Sequence, residues 1–278
     1  MRKLALLLCL SLAGCAPLTD MLGGRRYVAK LATMPDFYQA DRAYGSLPRN
    51  GGAYCGPTAA ANAIVWLDTH GFPNLLSAAT PGPTEQFELI RTLGAQEYMR
   101  TNSTKGTGPT GIMQGIRRYC AEKGYVAATE YAGWRTRNCR VAERPTIPWM
   151  LRAVRGTSSL IVNVGWYAAE DGEGAAYTRT GGHYLTVVGY ERRRGATWLI
   201  LHDPAKRTQK GKRNSTERCP LRCLLKPLPP GTVLRRKKDG DTFVGDGLFI
   251  LDGLRLRRGI ALGILDGAIA FSLTPKGE

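Results

Sequence analysis

The sequence predicts an α+β fold in which a helical lobe, carrying a cysteine at a helix start, packs on an antiparallel sheet carrying a histidine and an aspartate. Three observations predict it. A glycine-rich segment, Gly51-Gly52-Ala53-Tyr54, runs into Cys55-Gly56-Pro57 and then an alanine-rich stretch. Two alternating, β-branched stretches, 184–190 and 196–201, are separated only by residues 191–195. The first begins at Gly181-Gly182-His183 and the second closes on His202-Asp203-Pro204.

The helix follows from local chemistry. Pro57 suits the first helical turn, where its missing N–H costs nothing. Cys55 then stands where unpaired N–H groups and the positive dipole end favour thiolate over thiol. A structural cysteine more often lies inside an apolar run, whereas this one is framed by glycines. That position reads as a nucleophile ahead of a buried thiol.

A thiolate nucleophile needs a general base, and the base needs an orienting acceptor. The chain has 3 His, so the choice is short. A helix from Pro57 to about Thr69 is roughly 20 Å long, so His70 lies at the wrong end and reads as a C-terminal cap residue. The short 191–195 connection makes the two strands an antiparallel hairpin. The start of one strand then lies beside the end of the next, making His183 and Asp203 neighbours. Successive strand residues face opposite sides, so His202 faces away if Asp203 faces His183. Asn163, in the middle of a strand, reads as a hydrogen-bonded structural residue rather than a second orienter.

Taken together, these segments resemble the papain-superfamily cysteine peptidases of the bacteriocin-leader, double-glycine type, particularly their stand-alone relatives. The matching motifs are Cys55-Gly56-Pro57, Gly182-His183 and Asp203-Pro204, with Met34-Pro35-Asp36-Phe37-Tyr38-Gln39 upstream. Residues 148–156 and 160–164 look like the helix and first strand that precede the histidine in that group. The resemblance spans about residues 33–205 and implies a papain-like fold and acyl transfer by Cys55, His183 and Asp203. It also implies that the Gln39 amide helps bind the oxyanion.

Composition sets the outer limits. With 43 % hydrophobic and 22 % charged residues over 278, a mostly disordered polymer is excluded. The 34 glycines follow no three-residue period, which excludes collagen. No apolar run reaches the roughly 18 residues that cross a bilayer.

The amino terminus reads as an address. Met1-Arg2-Lys3 is a basic head, residues 4–12 are apolar, and Leu12-Ala13-Gly14-Cys15 ends the run. This layout is that of a secretory signal. Its last four residues resemble the bacterial lipoprotein signal, in which the cysteine is lipidated. The expected organisation is a signal peptide over 1–14, lipidation at Cys15, a tether over 15–32 and a peptidase-like body over 33–278. That resemblance, with Ala16 rather than Asp after the cysteine, implies the outer membrane, facing the periplasm. The formal charge of +17 falls to +15 when Arg2 and Lys3 leave with the signal. A basic body on a membrane favours anionic lipid or an acidic wall polymer over nucleic acid as partner.

Residues 191–238 hold fifteen Lys/Arg against three acids, and 206–240 reads as a basic, loop-rich insertion. It is either a solvated surface lobe or an electrostatic footprint. Helices are expected near 85–91 and 111–123, and closing strands near 247–251 and 268–273. Four further cysteines, Cys120, Cys139, Cys219 and Cys223, suggest two disulfides with three possible pairings. Proximity suggests Cys120–Cys139 and Cys219–Cys223. A four-thiolate zinc site would need closer spacing in the first pair, so neither a metal nor a cofactor is expected.

The expected activity is hydrolysis of peptide bonds by a lipid-anchored cysteine peptidase acting through a thioester. Two alternatives stand beside it: a cell-wall peptide amidase or acyl transferase using the same residues, and a non-catalytic peptide- or envelope-binding lipoprotein.

Overall fold

The computed structural model describes residues 25–78, 81–170, 176–205, 218–236 and 240–277. The expected signal and Cys15 therefore lie outside the described residues. In chain order the elements are β1 (Arg25–Tyr27), α1 (Cys55–Asp68), α2 (Pro83–Gly94), α3 (Pro109–Glu122), β2 (Tyr125–Gly133), β3 (Arg140–Ala142) and α4 (Ile147–Ala153). There follow β4 (Ser159–Ala169), β5 (Ala176–Arg193), β6 (Ala196–His202), β7 (Leu221–Pro227), β8 (Val233–Arg236), β9 (Thr242–Val244), β10 (Phe249–Asp252) and β11 (Leu262–Pro275). A few helices against one mixed sheet make this an α+β fold.

Six strands pair in a ring, β4–β5–β6–β7–β10–β11 and back to β4, each antiparallel to its neighbours. Closure leaves these strands without a free edge. Leu160, Val162, Leu185, Val187, Leu199 and Leu201 alternate onto one face and form a single core with Met150 and Val154 of α4. The opposite parity, including Ile161, Tyr184, Val188 and Ile200, meets α1, α2 and α3 in a second core. In α1 the completely buried Ala59, Ala60, Ala61 and Ala63 present only methyl groups, which lets the helix approach the sheet closely. The Thr186 hydroxyl of β5 donates to the Ala59 carbonyl at 2.9 Å and locks that approach.

Several expectations change. The end of the expected 15–32 tether belongs to the sheet: Arg25–Tyr27 pair with Arg192–Tyr190. Tyr27 stacks on Tyr190 at 5.9 Å and Arg26 pairs with Glu191 at 3.0 Å. Lys30 is fully buried, donating to the Ser158 carbonyl with its ammonium 4.6 Å from the Trp66 ring centre. Directly after the helix expected near 111–123 comes a long, unexpected strand, β2, which pairs with β11 from Tyr125↔Pro275 to Gly133↔Gly267.

The expected loop-rich insertion over 206–240 contains β7, which joins β6 to β10, and β8, which runs parallel to the start of β5. The expected disulfides are not formed: among the described residues, Cys55, Cys120, Cys139, Cys219 and Cys223 are all free. Cys120 and Cys223 are buried within separate cores, while Cys139 is exposed and Cys219 half-buried.

Candidate active site

The approach to Cys55 is a tight turn. Arg49, Asn50 and Gly51 have φ of 50°, 55° and 73°. A Cβ at Gly51 would lie 1.8 Å from the Gln39 carbonyl oxygen, so only glycine fits there. The Gln39 amide donates from Nε2 to the Gly51 carbonyl at 2.7 Å. Tyr54 then donates its N–H to the Gly51 carbonyl at 2.9 Å, and α1 begins at Cys55. The side chain of Tyr54 is buried across Gly94, which fixes the helix start against α2.

On the sheet, His183 sits in the middle of β5, opposite Val164 of β4, with Trp166 stacked 6.0 Å from its ring. Thr186 is opposite His202, so β6 ends where β5 approaches His183. The chain beyond β6 brings Asp203 to the ring, and His183 Nε2 lies 2.6 Å from Asp203 Oδ1. The same carboxylate oxygen accepts the Ala205 N–H at 2.8 Å, which holds it in place. With Nε2 on Asp203, Nδ1 is the ring nitrogen left for the hydrogen bond between His183 and the Cys55 thiol.

Burial alone would push the Cys55 thiol up. The hydrogen bond and charge of His183, then the backbone N–H groups of Tyr184 and Gly56, outweigh burial and hold it below its ordinary value. Burial likewise opposes the His183 imidazolium. The Asp203 carboxylate, then Cys55, prevails and raises the ring to about 10. Each group thus favours the charged form of the other, and the arrangement stabilises a thiolate beside an imidazolium.

Gln39 is buried against the turn before Cys55, with its N–H on the Pro204 carbonyl at 2.9 Å. His202 is buried on the other parity, its Nδ1 2.9 Å from the Pro35 carbonyl oxygen. His70 caps the far end of α1, 2.7 Å from the Trp66 carbonyl oxygen and stacked on the Trp66 ring. Asn163 donates to the His183 carbonyl at 3.3 Å, away from the ring. Among the described residues no group of His, Cys, Asp and Glu is placed to hold a metal ion.

Sequence reasoning missed a polar cluster beside the site. Arg135 donates from Nη1 to Asn163 Oδ1 at 3.3 Å. Asp266 is completely buried and accepts from Arg179 at 2.7 Å, Tyr167 at 2.8 Å and Trp134 at 3.2 Å. One signal was present: Asp266 is the lone charge in the apolar stretch 260–274, and a buried carboxylate requires partners.

An α+β fold that sets a cysteine at a helix start against a sheet histidine defines a class, that of the thiol hydrolases. The sequence model described as Peptidase_C39 like family matches residues 32–221, and the chain belongs to that family of cysteine peptidases. No curated protein matches the chain.

Proposed function

We propose that the protein is a lipid-anchored cysteine peptidase that cleaves peptide bonds with Cys55 as nucleophile, His183 as general base and acid, and Asp203 as the residue that orients the ring. The reading is carried by the 2.6 Å contact of His183 Nε2 with Asp203, which turns Nδ1 to the thiol. His183 takes the Cys55 proton, the thiolate attacks the peptide carbonyl, and the imidazolium returns the proton to the leaving amine. Water, deprotonated by His183, then hydrolyses the thioester. The Cys55 backbone N–H and the Gln39 amide are assigned to the oxyanion. One Gln39 amide hydrogen is engaged by Gly51, which leaves the second for that role. The Leu12-Ala13-Gly14-Cys15 run supports lipidation of Cys15 and attachment to a bacterial envelope membrane.

The test is mass spectrometry of products from a peptide library and from wall peptides, with the Cys55→Ala protein as blank. Products that require Cys55 are expected from linear peptides. Identical profiles for the two proteins on every substrate would overturn the reading.

A further inference from the structure

A groove of about 960 Å³ lies between the 134–144 segment and the β8–β9 hairpin. Its floor is aromatic, with Trp134 and Phe243 in contact at 4.7 Å between ring centres. Its walls are rich in arginine. Two of the five lining arginines are neutralised within the groove, Arg140 by Glu143 at 3.1 Å and Arg236 by Asp241. The other three, Arg135, Arg137 and Arg144, have no carboxylate within ion-pair distance among the described residues.

One lining residue of this groove, Arg135, is linked to the candidate active site by hydrogen bonds. Arg135 is held by Asn163, whose amide in turn holds the His183 carbonyl, so two hydrogen bonds separate the guanidinium from the His183 backbone. On the other side, Thr136 meets Thr110 of α3 at 3.1 Å, and α3 packs Ile112 against Gly56, the residue after Cys55. Arg179 Nη2 is buried without a partner against Gly182, the residue before His183. Asp266 pairs with Arg179, whereas Arg135 has no carboxylate partner among the described residues.

Resting on the reading of Cys55 as the nucleophile, we infer that the groove is a substrate subsite selecting acidic peptides, with Arg135 binding a carboxylate of the bound chain. Guanidinium pairs bidentately with carboxylates, and a Trp–Phe floor offers apolar surface to an extended backbone.

The experiment uses the Cys55→Ala protein and two labelled peptides of equal length, one glutamate-rich and one with glutamine in place of each glutamate. Fluorescence anisotropy is expected to give the acidic peptide a roughly tenfold lower Kd at low salt. Arg135→Gln, and separately Arg137→Gln/Arg144→Gln, should each remove most of that preference. A control changing Arg192, Arg193 and Arg194 to Gln, at the far end of β5, should leave it nearly intact. In the wild-type protein the acidic peptide should also slow alkylation of Cys55. Equal affinity for the two peptides, equal losses in the control and groove variants, or no protection of Cys55 would each overturn the inference. Binding is read without turnover. A library that yields no Cys55-dependent product would remove the peptidase reading and leave this measurement standing, and equal affinity for the two peptides with the groove unchanged would remove the subsite alone.

Discussion

The Gln39 N–H donates to the Pro204 carbonyl at 2.9 Å, while the Gln39 side chain donates to Gly51 at 2.7 Å. One residue therefore ties the turn that leads into Cys55 to the turn that carries Asp203. The partners of His183 arrive from opposite directions, one from a helix and one from a strand end. Gln39 sets their relative position as much as it serves any oxyanion, and a change there reaches both.

Alkylation of Cys55 by iodoacetamide is expected to proceed at mildly acidic pH, where an ordinary thiol, with a pKa of about 8.5, hardly reacts. The direction follows from the thiol being held below its ordinary value by His183. In His183→Ala that support disappears while burial remains, and the rate at pH 6 should fall by about tenfold or more. Site-resolved mass spectrometry of the alkylated peptide checks this, since the other four described cysteines are also free.

Asp203→Asn is expected to cut kcat/KM by roughly 10²–10⁴-fold, because a base without its orienting anion is both misdirected and less basic. The sign of the pH effect is definite. His183 is raised to about 10 largely by Asp203, so the wild-type alkaline limb follows loss of the imidazolium near that pH. Without the carboxylate the limb moves to lower pH. The stabilisation that the raised His183 contributes is complete below about pH 6.5, the unfolded value, and is lost as pH rises through about 10. A pH–rate profile and melting temperatures at neutral and alkaline pH measure the two effects.

Gln39→Ala should lower kcat by about 10²–10³-fold if its amide serves the oxyanion, with little change in KM. Gln39→Glu keeps the size but removes both amide hydrogens, including the one given to Gly51, so melting temperature is followed alongside the rate. Comparable kcat losses in the two variants at unchanged melting temperature assign the effect to the donor; a large loss in Gln39→Ala alone would assign it to position.

Asp266→Ala is expected to destabilise the fold by about 3–5 kcal/mol, because it leaves the Arg179 guanidinium buried without its anion. Asp266 is completely buried and also accepts from Tyr167 and Trp134. Denaturant unfolding measures the loss, and Arg179→Met in the same background should recover part of it.

Much of the candidate site could be read from residue order alone. Gly51, Pro57 and the alanines dictate a turn and a closely packed helix through local backbone preference, so they placed Cys55 without any knowledge of its partners. The short 191–195 connection likewise made His183 and Asp203 neighbours, because a hairpin leaves the chain little choice of pairing. Other features depended on segments distant in the chain. The Ala- and Thr-containing stretch that forms β2 becomes a strand by pairing with β11, and Arg25–Tyr27 by pairing with the end of β5. Cysteines close in sequence proved not to be bridged, since in each expected pair one thiol is buried in a core while the other is exposed or half-buried. The apolar setting of Asp266 announced that it must have partners, yet nothing local said that Arg179, Tyr167 and Trp134 would supply them. Backbone propensity acts over a few residues, whereas burial and ion pairing are decided by whatever the folded chain brings alongside; the helix start and the hairpin belong to the first kind, the closed ring and the buried Arg179–Asp266 pair to the second.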